Sequence, residues 1–233
     1  MKEIFSYNKD IEKNAYLNWR TQYHDHIHNM IVVAEGFSDS ALLLVEETIK
    51  DNRNKRADSL IFPILFNANH SIEVYLKAIC WIQNKLLGKD ETFKGNHDLQ
   101  GLFKKVIDLE NELNALNDKA EFQKMLSNLK AYINELYGKI ERTITKKGDA
   151  KKIYDITFSR YSLTNDLEPQ FYINTFDNVV VDLENFLKVF KEIFDNLQSL
   201  STHYLILLEG KQEAEYEARQ VQAEIESEIR GDY

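Results

Sequence analysis

At 233 residues the chain is long enough to bury one large hydrophobic core without a disulfide or metal staple. Hydrophobic residues make up 43% of it and charged residues 29%, a balance that excludes wholesale disorder. The formal charge of -9 opposes nonspecific attraction to nucleic acid over the whole surface, so any such contact must be local.

Two prolines and eight glycines leave few points where a helix must stop, which favours an all-α domain. A short helix is expected over residues 9–20. Ile27, Ile31, Ala34, Ser38, Ala41, Val45 and Thr48 then recur at helical spacing up to the polar turn DNRNKRAD. Asp58 is the expected cap of a central helix that carries Ile61, Leu65, Ile72, Leu76, Ile79 and Leu86 before Gly88, with Pro63 in its first turns or at a kink. Asp98 should open a helix with Leu99, Leu102, Phe103, Val106 and Leu109. Asn117 or Asp118 should open another with Phe122, Met125, Leu129, Ile133, Leu136 and Ile140.

Residues 145–170 read as irregular. Beyond Pro169 a long periodic segment runs through Phe176, Val179, Leu183, Phe186, Phe190, Ile193, Leu197 and Tyr204, turning polar after Leu208. The expected organisation is a single helical domain over 1–208 and an acidic helical tail over 209–233. With only Tyr216, Val221, Ile225 and Ile229 as large apolar residues before the final Tyr233, that tail is either a solvated helix end or a narrow seam for a partner protein. The lone Cys80 lies in an apolar pattern and fits a buried thiol in a reducing compartment. No stretch has the roughly 18 apolar residues of a membrane span, and MKEIFSYNKDIEK lacks the apolar segment of a signal peptide, so a cytoplasmic protein is expected.

Two Asn-His pairs stand out, Asn69-His70 and Asn96-His97. His70, Glu73 and Lys77, at i, i+3 and i+7, share one face of the central helix opposite Ile72, Tyr75, Leu76 and Ile79. Two readings fit that face: a favourable i,i+4 ion pair with a histidine bonded to a loop, or part of a binding site and dimer contact. His97 and Asp98 are expected to cap and orient the following helix. In YHDHIHN, His24 and His28 share a helical face while His26 does not, a weak zinc signal better read as a surface or dimer-facing cluster. No CxxC, HExxH, Walker A or GxSxG pattern occurs, so zinc proteolysis, P-loop hydrolysis and hydrolase-type catalysis lose their usual support, and no metal or cofactor is expected. Lys146, Lys147, Lys151, Lys152 and Arg160, interleaved with Tyr154, Phe158 and Tyr161, are either a phosphate-contacting and base-stacking segment or a solvated loop.

The order HSIEVYLKAI, then HDLQGLF, then a distant FSRY and a final long helix resembles the HEPN superfamily of helical bundles. Glu73, Lys77 and Ala78 match its core-helix pattern, and His97, Asp98, Leu99 and Leu102 match the start of its next helix. Arg160-Tyr161 matches its Arg-Tyr pair. The resemblance covers residues 58–205 and implies a HEPN-like helical bundle with a long C-terminal helix; the extra N-terminal helices and the acidic tail lie outside it. It implies a homodimer and, in catalytic members, a metal-independent endoribonuclease of toxin or antiviral defence systems that uses an Arg separated from a His by four to six residues.

The chain departs from the family at that motif. Four residues separate Arg160 from Asn165, which cannot titrate to move protons, and no histidine follows until His203. The one pair with family spacing, Arg20 and His26, would sit about 240° apart on an unbroken helix, whereas Arg20, His24 and His28 would converge better. The sequence therefore leaves two functions open: an RNA-targeting ribonuclease, or a noncatalytic dimeric module that holds a nucleotide or partner protein.

Overall fold

The computed structural model describes residues 3–23, 25–92, 97–116, 118–146, 149–164 and 166–231, with the backbone alone for 144–146, 149–151 and 228–231. Its elements are α1 (His26–Lys50), α2 (Ala57–Leu86), α3 (Leu99–Leu113), α4 (Lys119–Met125), α5 (Ser127–Ile140), the strands β1 (Glu141–Lys146) and β2 (Asp149–Tyr154), the short α6 (Phe171–Asn174) and α7 (Leu183–Gly231). It is an all-α bundle with one antiparallel hairpin attached.

Helix α2 is the axis of the bundle and packs against α1, α3 and α7. Every residue from Ser71 to Cys80 is buried, so this helix has no solvent face at its middle. Small residues let α1 come close: Ala34 and Ala41 are fully buried, and the Ser71 hydroxyl donates to the Ala34 carbonyl at 2.8 Å. The seven periodic residues of α1 from Ile27 to Thr48 are its buried stripe. Cys80 is buried too, and burial pushes its thiol up to about 12.

In α7, Phe186, Phe190, Ile193, Phe194, Leu197, Leu200, Tyr204 and Leu208 face the core. Tyr204, fully buried, donates its hydroxyl to Glu110 Oε2 at 2.6 Å, and Glu110 Oε1 accepts the Leu116 backbone N–H at 2.9 Å. Tyr204→Phe leaves that buried carboxylate short of a donor and should cost about 1–3 kcal/mol. An unchanged urea midpoint would contradict this.

Several expectations are corrected. Residues 9–20 form only a 3-10 turn at Ile11–Lys13, because they offer no buried residue to anchor a helix. The extra N-terminal helical structure is thus α1 alone. At the start of α2 the cap acceptor is Asn52 Oδ1, which takes the Ala57 N–H at 2.9 Å, and Asp58 lies in the first turn. Asp118 does cap α4, accepting from Ala120 and Glu121 N–H, but the expected single helix breaks at Leu126 into α4 and α5. Asn117 lies outside the described residues.

The segment 145–170 is not irregular throughout. Thr143, Ile144, Thr145 and Ile153 are β-branched and favour a pleated surface, and β1 pairs with β2 in a register from Glu141↔Tyr154 to Lys146↔Asp149. Beyond it, Phe176 and Val179 precede the last helix, which starts after Asp182 accepts the Glu184 and Asn185 N–H groups.

Helix α7 continues unbroken through the acidic tail. Residues 209–227 are exposed there, apart from Lys211, whose ammonium donates to the Lys85 and Leu86 carbonyls at the C-terminus of α2. Among the described residues no helix is long and apolar enough to cross a membrane.

Candidate functional site

The hairpin returns the chain toward α2, and the 3-10 turn Ile156–Ser159 packs on that helix with Phe158 buried. Asp155 holds the turn by accepting the Thr157 N–H at 2.9 Å. Three elements thereby meet: α2 supplies Asn69, His70, Glu73 and Lys77, the start of α3 supplies His97, and the turn delivers Arg160. Phe66, Asn69, His70, Glu73, His97, Ile156, Ser159 and Arg160 line a cleft of about 70 Å³.

Glu73 is the centre of this cluster. It is 5% exposed, and its Oε1 lies 2.6 Å from Lys77 Nζ, itself 8% exposed. His97 Nδ1 lies 3.0 Å from Oε1 and 3.1 Å from Oε2. With Nδ1–H donated to the carboxylate, Nε2 is the ring nitrogen left to exchange protons. His70 Nδ1 stands 4.0 Å from Glu73 Oε2.

His70 is clamped by aromatic rings, stacked on Phe66 at 5.7 Å and met edge-on by Phe37 at 4.5 Å. Burial lowers its pKa from the ordinary 6.5, opposed by Glu73 and aided by Lys77, His97 and Arg160. The exposed Arg160 keeps its guanidinium 5.6 Å from the Phe66 ring and 5.8 Å from the Tyr161 ring, within cation–π range of both. Glu73 neutralises Lys77, so among the described lining residues Arg160 is the cation that the cleft presents to an anion.

Asn69 adds an unmet demand. Its Oδ1 accepts the Tyr132 hydroxyl at 2.5 Å, while its buried Nδ2 has no partner among the described residues. Turning the amide over only exchanges which polar atom is left unpaired. No residue spacing singles Asn69 out from sequence, apart from its place before His70.

His70, Glu73, Lys77, His97 and Arg160 are thus brought together from the sequence candidates. Glu73 and Lys77 are buried by the chain's own segments, so the polar face of α2 is not the open dimer surface that its spacing suggested. Asp98 occupies the cap position of α3 without a side-chain cap bond. Its Oδ1 instead accepts the Tyr137 hydroxyl at 2.7 Å, and that hydroxyl accepts the Gln100 N–H at 3.3 Å. Tyr137 stands in for the missing cap.

Other candidates sit elsewhere. At the N-terminus of α1 the His28 N–H donates to Asp25 Oδ1 at 2.8 Å, and His28 Nε2 lies 3.2 Å from the Arg20 carbonyl oxygen. His26 starts the same helix, and none of Arg20, His26 and His28 lines the cleft. His24 and Lys147 lie outside the described residues. Lys146 and Lys151 occupy strand positions, with their side chains outside the described set. Lys152 is exposed and pairs with Glu141 at 2.7 Å, a surface contact that a phosphate can compete with. Among the described residues no group of three or more His, Cys, Asp and Glu is arranged to hold a metal ion. No protein-family model matches the chain, and no curated protein or solved structure matches it.

Proposed function

We propose that the chain is a HEPN-like, metal-independent endoribonuclease of a prokaryotic-type RNA-targeting defence or toxin system. The observation that carries the reading is the meeting of two histidines, a buried carboxylate and the Arg160 guanidinium in one cleft. Metal-free RNA cleavage needs a base at the 2′-OH, an acid at the leaving oxygen and positive charge at the phosphate. His70, neutral near pH 7, takes the 2′-OH proton. The 2′ oxygen bonds to phosphorus as the P–O5′ bond breaks, and His97, oriented by Glu73, gives a proton to the 5′ oxygen. Arg160 and the Asn69 amide face the nonbridging oxygens. The products are a 2′,3′-cyclic phosphate and a 5′-hydroxyl end.

This route uses the cleft in place of the missing Arg-x4-6-His motif. The test is purified protein incubated with tRNA and mRNA without divalent metal. Cleavage leaving cyclic phosphate ends, with DNA spared for want of a 2′-OH, is the expected result. RNA left intact at high protein concentration, with any neighbouring encoded partner present, removes the enzyme reading.

A second reading is a noncatalytic dimeric module that holds a nucleotide or a partner protein. The smallness of the cleft, about 70 Å³, favours it, because such a space suits one phosphate group better than a reacting strand. Co-purification of a stable second protein, with function retained by Arg160→Ala, would decide for it. Pairing of two copies belongs to both readings, and light scattering measures it directly.

A further inference from the structure

The cleft does not end at His97. A cavity of about 320 Å³, lined by His97, Asp98, Gln100, Tyr137, Tyr154 and Ile156, shares His97 and Ile156 with it. Another of about 230 Å³ shares Tyr154 and Ile156 with that cavity and reaches Arg142. The three cavities adjoin along one line of shared walls, which we read as a groove, with His97 between the first two.

We propose that the middle cavity is a nucleobase subsite for single-stranded RNA that prefers guanine, set beside a phosphate held at Arg160 and Asn69. The proposal rests on the RNA reading above. Its size lies at the lower end of the roughly 300–1,000 Å³ typical of small-molecule sites, enough for one base rather than a duplex. Tyr154 is 43% exposed and its ring is braced by the buried Tyr137, 5.0 Å away at 41°. Its hydroxyl is held by Glu141 Oε2 at 3.2 Å, across the strand pair Glu141↔Tyr154. A ring fixed at one edge and open on the groove side suits base stacking.

Asp98 supplies the selection. Its Oδ1 is taken by the Tyr137 hydroxyl, while Oδ2 lies against the side-chain-less Gly101 with no hydrogen bond from the described residues. A carboxylate only accepts, so it favours a base edge that presents adjacent donors. Guanine offers N1–H and the 2-amino group side by side, whereas uracil offers one N–H flanked by two carbonyls that the carboxylate repels. Gln100, on the same wall, carries an amide donor suited to the guanine O6.

An independent observation points to an oxygen-rich ligand along this path. Among the described residues two buried side-chain donors lack partners, Asn69 Nδ2 and Arg142 Nε. Each lines one end of the groove. A chain of phosphate and ribose oxygens satisfies both, which a lone base or a lone phosphate does not.

The experiment titrates the full chain with the four ribonucleoside 3′-monophosphates by calorimetry and maps cut sites in an unstructured RNA. The expected result is 3′-GMP bound at least tenfold tighter than 3′-UMP. Asp98→Asn, which keeps an acceptor for Tyr137, should erase that preference, and Tyr154→Ala should weaken GMP binding by about tenfold, the scale of one stacked base. Equal affinity for the four bases, or a guanine preference that survives Asp98→Asn, overturns the subsite and leaves the phosphate cleft standing. If no mononucleotide binds but RNA is cut, cuts placed without regard to guanine overturn it as well. No binding and no cleavage overturn both this proposal and the RNA reading.

Discussion

Glu73→Ala is expected to destabilise the protein by about 3–5 kcal/mol, the cost typical of breaking a buried ion pair from one side. Glu73 and Lys77 are both nearly inaccessible at the middle of the axial helix, 2.6 Å apart, and the carboxylate also holds His97. Alanine removes the carboxylate and leaves the Lys77 ammonium in a buried setting where its charge was balanced. Replacing both partners should behave differently. Glu73→Leu with Lys77→Met keeps the volume and removes both charges, so much of the lost stability should return. RNA cleavage should not return with it, because His97 loses the oxygens that orient its ring. Urea unfolding and the metal-free cleavage assay read the two effects separately. A Glu73→Ala protein that unfolds like the wild type would show that the pair does not hold the centre of α2.

The face carrying His70, Glu73 and Lys77 was legible in the sequence because its spacing is local to one helix. What covers that face was not. Its partners arrive from far along the chain, His97 after a loop and Arg160 after a hairpin, and helical periodicity carries no information about such returns. The apolar stripe of α1 was legible for the same local reason, residue for residue from Ile27 to Thr48. The hairpin was missed because its lysines obscured the short β-branched run of Thr143, Ile144 and Thr145 and the Ile153-Tyr154 pair, and without it the route of Arg160 back to α2 could not be seen. Phe176 and Val179 kept the helical period, yet the cap that starts α7 is Asp182, downstream of both. Asn69 stood out only as the neighbour of His70, with no role of its own. Its significance lies in an unpaired nitrogen, which is a property of packing rather than of residue type.

His97→Asn should lower RNA cleavage by about 10²–10⁴-fold, the range for loss of a positioned acid or base. Stability should change much less, since the His97 side chain is 57% exposed. The pH dependence tests the other histidine. Burial is the first cause lowering the His70 pKa from 6.5, so the folded protein binds that proton only at lower pH than the unfolded chain does. Where the unfolded state carries more protons, stability rises with pH, so this contribution is complete above 6.5 and is lost as pH falls from 6.5 through the folded pKa. Activity follows the same titration, because a protonated His70 cannot take the 2′-OH proton. The acid limb of kcat/KM should therefore lie below 6.5 and disappear in His70→Asn along with most of the rate. An acid limb above 6.5, or one unchanged in His70→Asn, would assign the base to another group and leave His70 as an aromatic-clamped wall of the cleft.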